Sequence, residues 1–114
     1  MTFTERKEGG ATNKPLSEQY RLIAKQWVAA EAAASLLEET KSAFLAKMMT
    51  SLGDMPVSRA EMQVKADARW YRFIEGMVEA RSNAALLKVQ LEYVRMRHSE
   101  QQSEEASKRA EMRL

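Results

Sequence analysis

The sequence predicts an all-α protein built on one long antiparallel helical hairpin that dimerises into a four-helix bundle. Three observations lead there. Two stretches carry apolar residues every three or four positions, a short break with Gly53 and Pro56 separates them, and neither stretch contains a proline. The composition, 45% hydrophobic and 30% charged, is that of a globular domain, neither disordered nor membrane-embedded.

Residues 1–14 read as a flexible lead-in. Gly9, Gly10, Thr12 and Asn13 interrupt any helix, and no apolar period is present. The remainder, 15–114, has the length of a single domain with a projecting C-terminal helix end.

The first helix is expected over 17–51. Ser17 is a good N-cap and Glu18 places negative charge in the first turn. Its apolar stripe is Tyr20, Ile23, Trp27, Ala30, Ala34, Leu37, Phe44 and Met48, with Lys41 the one break in register. Val28, Leu36, Leu45 and Met49 lie beside the stripe and widen it. The alanine cluster Ala29, Ala30, Ala32, Ala33 and Ala34 suits close helix approach. Gly53 fits a left-handed C-cap, and Pro56 blocks continuation.

A capping box, Ser58-Arg59-Ala60-Glu61, then opens a second helix expected to run unbroken over 58–112. Its stripe is Trp70, Ile74, Met77, Ala80, Ala84, Leu87, Leu91 and Val94. Gly76 is its weak point, at a cost of roughly 1 kcal/mol relative to alanine. A short loop between two long helices makes them antiparallel neighbours. A first helix of about 35 residues spans roughly 50 Å, so the second overshoots it from about Val94. The overshoot, rich in Glu, Arg and Ala, has almost no apolar face and points to a docking element around Arg109, Met112 and Arg113. Two stripes alone make a thin core, and the apolar residues beside them offer a second surface; a homodimer or higher oligomer follows as the expectation.

Chemistry has little to work with. The chain has no cysteine and one histidine, His98, so no metal-ligand set of ordinary spacing exists and no metal or other cofactor is expected. The pairs Glu38-Glu39 and Glu104-Glu105 are adjacent in sequence, point in different directions on a helix and read as solvated charge. There is no glycine-rich phosphate loop and no G-x-S-x-G elbow. A non-enzymatic protein is expected.

Eighteen basic and sixteen acidic residues give a net charge of +2, a mixed surface and not a polyanion-binding block. Two basic groups nevertheless support an alternative as a nucleic-acid accessory factor. Lys65, Arg69 and Arg72 surround the aromatics Trp70, Tyr71 and Phe73, a composition that can stack bases while neutralising phosphates; Arg95 and Arg97 form the second group. Helical spacing favours the other assignment, in which Trp70, Phe73 and Ile74 share the core face while the basic side chains reach outward. The N-terminal MTFTERKEGG lacks the apolar centre of a secretory signal. The longest nearly apolar stretch, Val28–Leu37, is about half a membrane span and carries Glu31. A cytoplasmic protein with no membrane partner is expected.

The runs Ala80-Arg81-Ser82-Asn83-Ala84, Leu91-Glu92-Tyr93-Val94-Arg95-Met96-Arg97 and Glu105-Ala106-Ser107-Lys108-Arg109-Ala110-Glu111-Met112-Arg113 resemble small helical accessory proteins of proteobacterial phages and prophages. The resemblance covers about a third of the chain. It implies a phage-associated accessory role in the cytoplasm of a bacterial host, near recombination or single-strand-binding functions, and transfers no functional residue. The leading expectation is therefore an interaction protein that binds a protein partner through the hairpin surface or the projecting helix end.

Overall fold

A computed structural model describes residues 14–113. They form three helices, α1 (Leu16–Ser51), α2 (Val57–Lys65) and α3 (Ala68–Arg113), and no strand occurs among the described residues. The two long helices, α1 and α3, pack on each other as a hairpin, so the expected all-α hairpin is the fold. The lead-in expected over 1–14 lies, apart from Lys14, outside the described residues, as does Leu114.

The boundaries differ from expectation in three places, each for a local reason. α1 starts at Leu16, one residue before the expected cap Ser17. The carbonyl of Pro15 accepts from the amides of Glu18 and Gln19, both at 3.0 Å, and the Gln19 side-chain amide donates back to the Lys14 carbonyl at 2.7 Å. Pro15 thus takes the place expected of Ser17, its carbonyl accepting the first backbone bonds of α1.

At the second start, Pro56 occupies the cap position with φ −57° and ψ 142°, and no side chain caps the helix. Its carbonyl accepts from Ala60 at 3.0 Å, which draws Ser58 into the first turn. The expected capping box does not form, and Glu61 instead lies 3.7 Å from Lys65 as an i,i+4 ion pair. Gly53, with φ +86°, takes the left-handed conformation anticipated for it between the two hairpin arms.

The third difference is the largest. The second helix is not continuous, because it breaks at Ala66-Asp67 and restarts as α3. Asp67 is a strong N-cap: its carboxylate accepts from the Arg69 amide at 2.7 Å, and its carbonyl accepts from Trp70 and Tyr71. The Arg69 guanidinium folds back on the same carboxylate at 3.2 and 3.0 Å. Those bonds from Arg69, first the side chain and then the backbone amide, hold the Asp67 carboxyl at about 2, below its ordinary 3.8. A lowered folded-state value means that Asp67 contributes its stability above the unfolded value and loses it as pH falls from about 4 towards 2. Asp67→Asn keeps a competent cap and removes the charge. Its melting midpoint should lie below that of the parent at neutral pH and meet it near pH 2; parallel melting curves across that range would remove this account.

The described residues fall into two compact units. In the unit of residues 28–85, α2 turns the helix pair into a three-helix end. Val64, 2% exposed, meets Met48 and Trp70, and Phe44, Leu45, Met49, Leu52 and Ile74 pack around them. Phe44 and Phe73 stack with centroids 4.6 Å apart, and Trp70 lies 6.2 Å from the first and 6.3 Å from the second. The core is thus thicker here than a two-helix hairpin allows, because the break lets α2 deliver Ala60 and Val64 to it. Farther along, Ala30, Ala34 and Ala84 are buried, while Ala29, Ala32 and Ala33 face solvent. Only two of the five clustered alanines are used for close packing.

The other unit, residues 14–27 with 86–113, is a plain helix pair. Leu91 and Val94 are buried there, and Ile23, Trp27 and Leu87 are half-buried. Of the sixteen expected stripe positions in the whole chain, Tyr20 alone is exposed. From Arg95 to Arg113 every residue of α3 is exposed.

Candidate interaction surface

One cross-helix clamp sets the register of α1 on α3 within the unit of residues 28–85. Glu31 and Glu38 are seven residues apart and share a face of α1, and Arg81 of α3 reaches between them. Its Nη1 donates to both Glu31 oxygens at 2.8 and 2.9 Å; its Nε and Nη2 donate to Glu38 at 2.9 and 2.8 Å. The paired carboxylates raise the arginine pKa further, the Glu38 bond contributing most, and the same bond holds the Glu38 carboxyl below its ordinary value. All three side chains remain well solvated, so the clamp acts on register more than on stability. Glu38 is therefore not the free solvated charge that its adjacency to Glu39 suggested. The i,i+7 spacing of Glu31 and Glu38 was the available signal.

The basic residues proposed for nucleic acid are divided between the two units. Lys65, Arg69 and Arg72 belong to one unit, Arg95 and Arg97 to the other. Lys65 pairs with Glu61, and Arg69 is held by Asp67. Trp70 is 8% exposed and stacked in the core, so its ring faces are covered, while Tyr71 points outward. The alternative's central stacking residue is thus a core residue.

Around the start of α1, Arg95 and Arg97 line different concavities. A groove of about 520 Å³ is bounded by Lys14, Leu16, Gln19, Tyr93, Arg97 and Gln101. A smaller one, about 230 Å³, lies between Leu16, Ser17, Tyr20, Arg95 and His98. The Arg97 Nη1 donates to the Tyr93 hydroxyl at 3.4 Å, the long end of hydrogen-bonding range.

The residues expected to dock a partner, Arg109, Met112 and Arg113, are all exposed, Met112 at 84%. A second apolar face, outside the two stripes, precedes them on α3. Leu86, Val89, Tyr93 and Met96 are each 55–60% exposed, spaced three, four and three residues apart. At 3.6 residues per turn they share an arc of roughly 80°, on the opposite side of α3 from buried Leu91. A contiguous apolar face of this kind marks an interaction surface more often than a scattering of single residues does.

No candidate metal cluster of three or more His, Cys, Asp or Glu groups occurs among the described residues, and none of their helices is long and apolar enough to cross a membrane. No family model, curated protein or solved structure matches the chain.

Proposed function

We propose that the chain is a non-enzymatic interaction protein: a helical hairpin that self-associates and binds a protein partner through α3. The observation that carries this reading is the row of apolar side chains that α3 leaves in solvent, Leu86, Val89, Tyr93 and Met96, with Met112 exposed farther along the same helix. The exposed helix end from Arg95 to Arg113, which includes Arg109, Met112 and Arg113, supplies the docking element. The resemblance of these runs to phage helical proteins supports an accessory role in a phage, in the cytoplasm of its bacterial host. Nucleic-acid binding is the weaker reading, because acidic neighbours engage Lys65 and Arg69 and Trp70 is unavailable for stacking.

Sedimentation equilibrium on the purified chain should give a dimer or larger species at micromolar concentration. A stable monomer there would sink the self-association half of the reading. Truncation after His98 should leave the thermal melt nearly unchanged, since the removed described residues are all exposed. It should abolish partner binding; a large loss of stability would show instead that the helix end is part of the fold.

A further inference from the structure

The self-association assumed above requires a surface, and the outward face of α3 has the pattern of one. Leu86, Val89, Tyr93 and Met96 occupy successive a, d, a and d positions of a heptad. The inward positions of the same stretch, half-buried Leu87 and buried Leu91 and Val94, lie on the other side, so α3 carries two seams: one is filled within the chain and the other faces solvent. The heptad positions on either side of the open seam, Ser82 and Glu100, are polar, which limits it to two heptads.

The flanking residues specify what covers it. With Leu86 at position a, Glu92 falls at g and Arg97 at the following e, five residues later. In two parallel helices in register, a g residue meets the e residue of the next heptad on the partner helix. Glu92 of each copy then meets Arg97 of the other, twice by symmetry. The remaining flanking positions, Ala85, Gln90 and Ser99, are uncharged, so no like charges are brought together there. Among the described residues neither Glu92 nor Arg97 is engaged in an ion pair.

We propose that Leu86, Val89, Tyr93 and Met96 form a self-association seam in which α3 helices of two copies run parallel and in register, fixed by reciprocal Glu92–Arg97 pairs. This rests on the interaction reading above and gives it a surface and a geometry. α3 of each copy lies at the centre of the pair and α1 on the outside. Four seam side chains per copy are far fewer than the roughly 20–30 residues per side of a standard interface. The seam therefore fits a reversible dimer in concentration-dependent exchange.

The test uses the full chain, with circular dichroism confirming that each variant folds. Because Val89 is exposed, Val89→Glu should leave the helix content unchanged and weaken dimerisation at least tenfold by sedimentation equilibrium. Glu92→Arg and Arg97→Glu should each weaken it, and the double exchange Glu92→Arg with Arg97→Glu should restore it. The chain has no cysteine, so Val89→Cys introduces a single thiol per copy. Mild oxidation should link it across a parallel, in-register seam, whereas Val28→Cys, exposed on α1, should remain unlinked. A dimer indifferent to Val89→Glu would overturn the seam and leave self-association standing. A dimer lost with Val89→Glu, but neither restored by the charge exchange nor linked through Val89→Cys, would overturn the parallel register. A parent chain that is monomeric throughout would overturn the seam and the self-association reading together.

Discussion

Replacing Trp70 with alanine should lower the folding free energy by about 3–5 kcal/mol, the range for truncating a large buried aromatic. The ring is 8% exposed and lies between Met48, Val64, Phe44 and Phe73, where all three helices contribute to the core. Its loss opens a cavity whose walls belong to separate helices and cannot all collapse towards it. Domains of this size are stable by only about 5–15 kcal/mol, so the variant should be marginal at room temperature. Urea denaturation followed by circular dichroism measures the change. An unaltered midpoint would mean that the ring is exposed, and the base-stacking alternative would regain its central residue. Trp27→Ala should cost less, because Trp27 is half-buried in the unit whose described residues form only a helix pair.

Enlarging the small-residue contact on α1 should have the second-largest effect. Ala34 is 0% exposed, so Ala34→Leu must force its added atoms into filled space. Overpacking of that kind costs about 1–3 kcal/mol. Ala33→Leu makes the same chemical change one residue earlier on the solvent side, where the expected effect is within about 0.5 kcal/mol. Both residues are good helix formers, so helix propensity does not separate the two variants. Equal melting midpoints for the pair would show that close approach at Ala34 does not limit the packing.

Much of this architecture is legible in the residues themselves. Leu, Ala, Glu and Arg at spacings of three and four leave the chain few choices besides two long helices. Gly53 and Pro56 place the reversal, the first through its left-handed φ and the second by blocking helix continuation. Burial followed the same periodicity, since fifteen of the sixteen stripe positions are buried or half-buried. The role of Trp70 was open only between core and ligand contact, and helical spacing already favoured the core.

The break at Ala66-Asp67 was harder to see. Helix periodicity runs through it, and a single aspartate among helix formers is an ordinary surface residue until its carboxylate turns back onto the Arg69 amide. The capping box at Ser58 failed for a related reason: Pro56 had already begun the helix, and two local start signals cannot both be used.

What the sequence determined by itself was the set of choices made within a few residues: helical periodicity, the turn, and which face of each helix is apolar. What only the tertiary structure decided was how those faces are shared out. Arg81 meets Glu31 and Glu38 across 50 and 43 residues, a pairing that exists once α1 lies on α3 in one register. The second apolar face of α3 likewise became distinct only when Leu91 and Val94 were buried and Leu86, Val89, Tyr93 and Met96 were not. Periodicity counts apolar residues on a helix, but one neighbouring helix can cover only one side of it, and the side left over is where this chain has surface to offer.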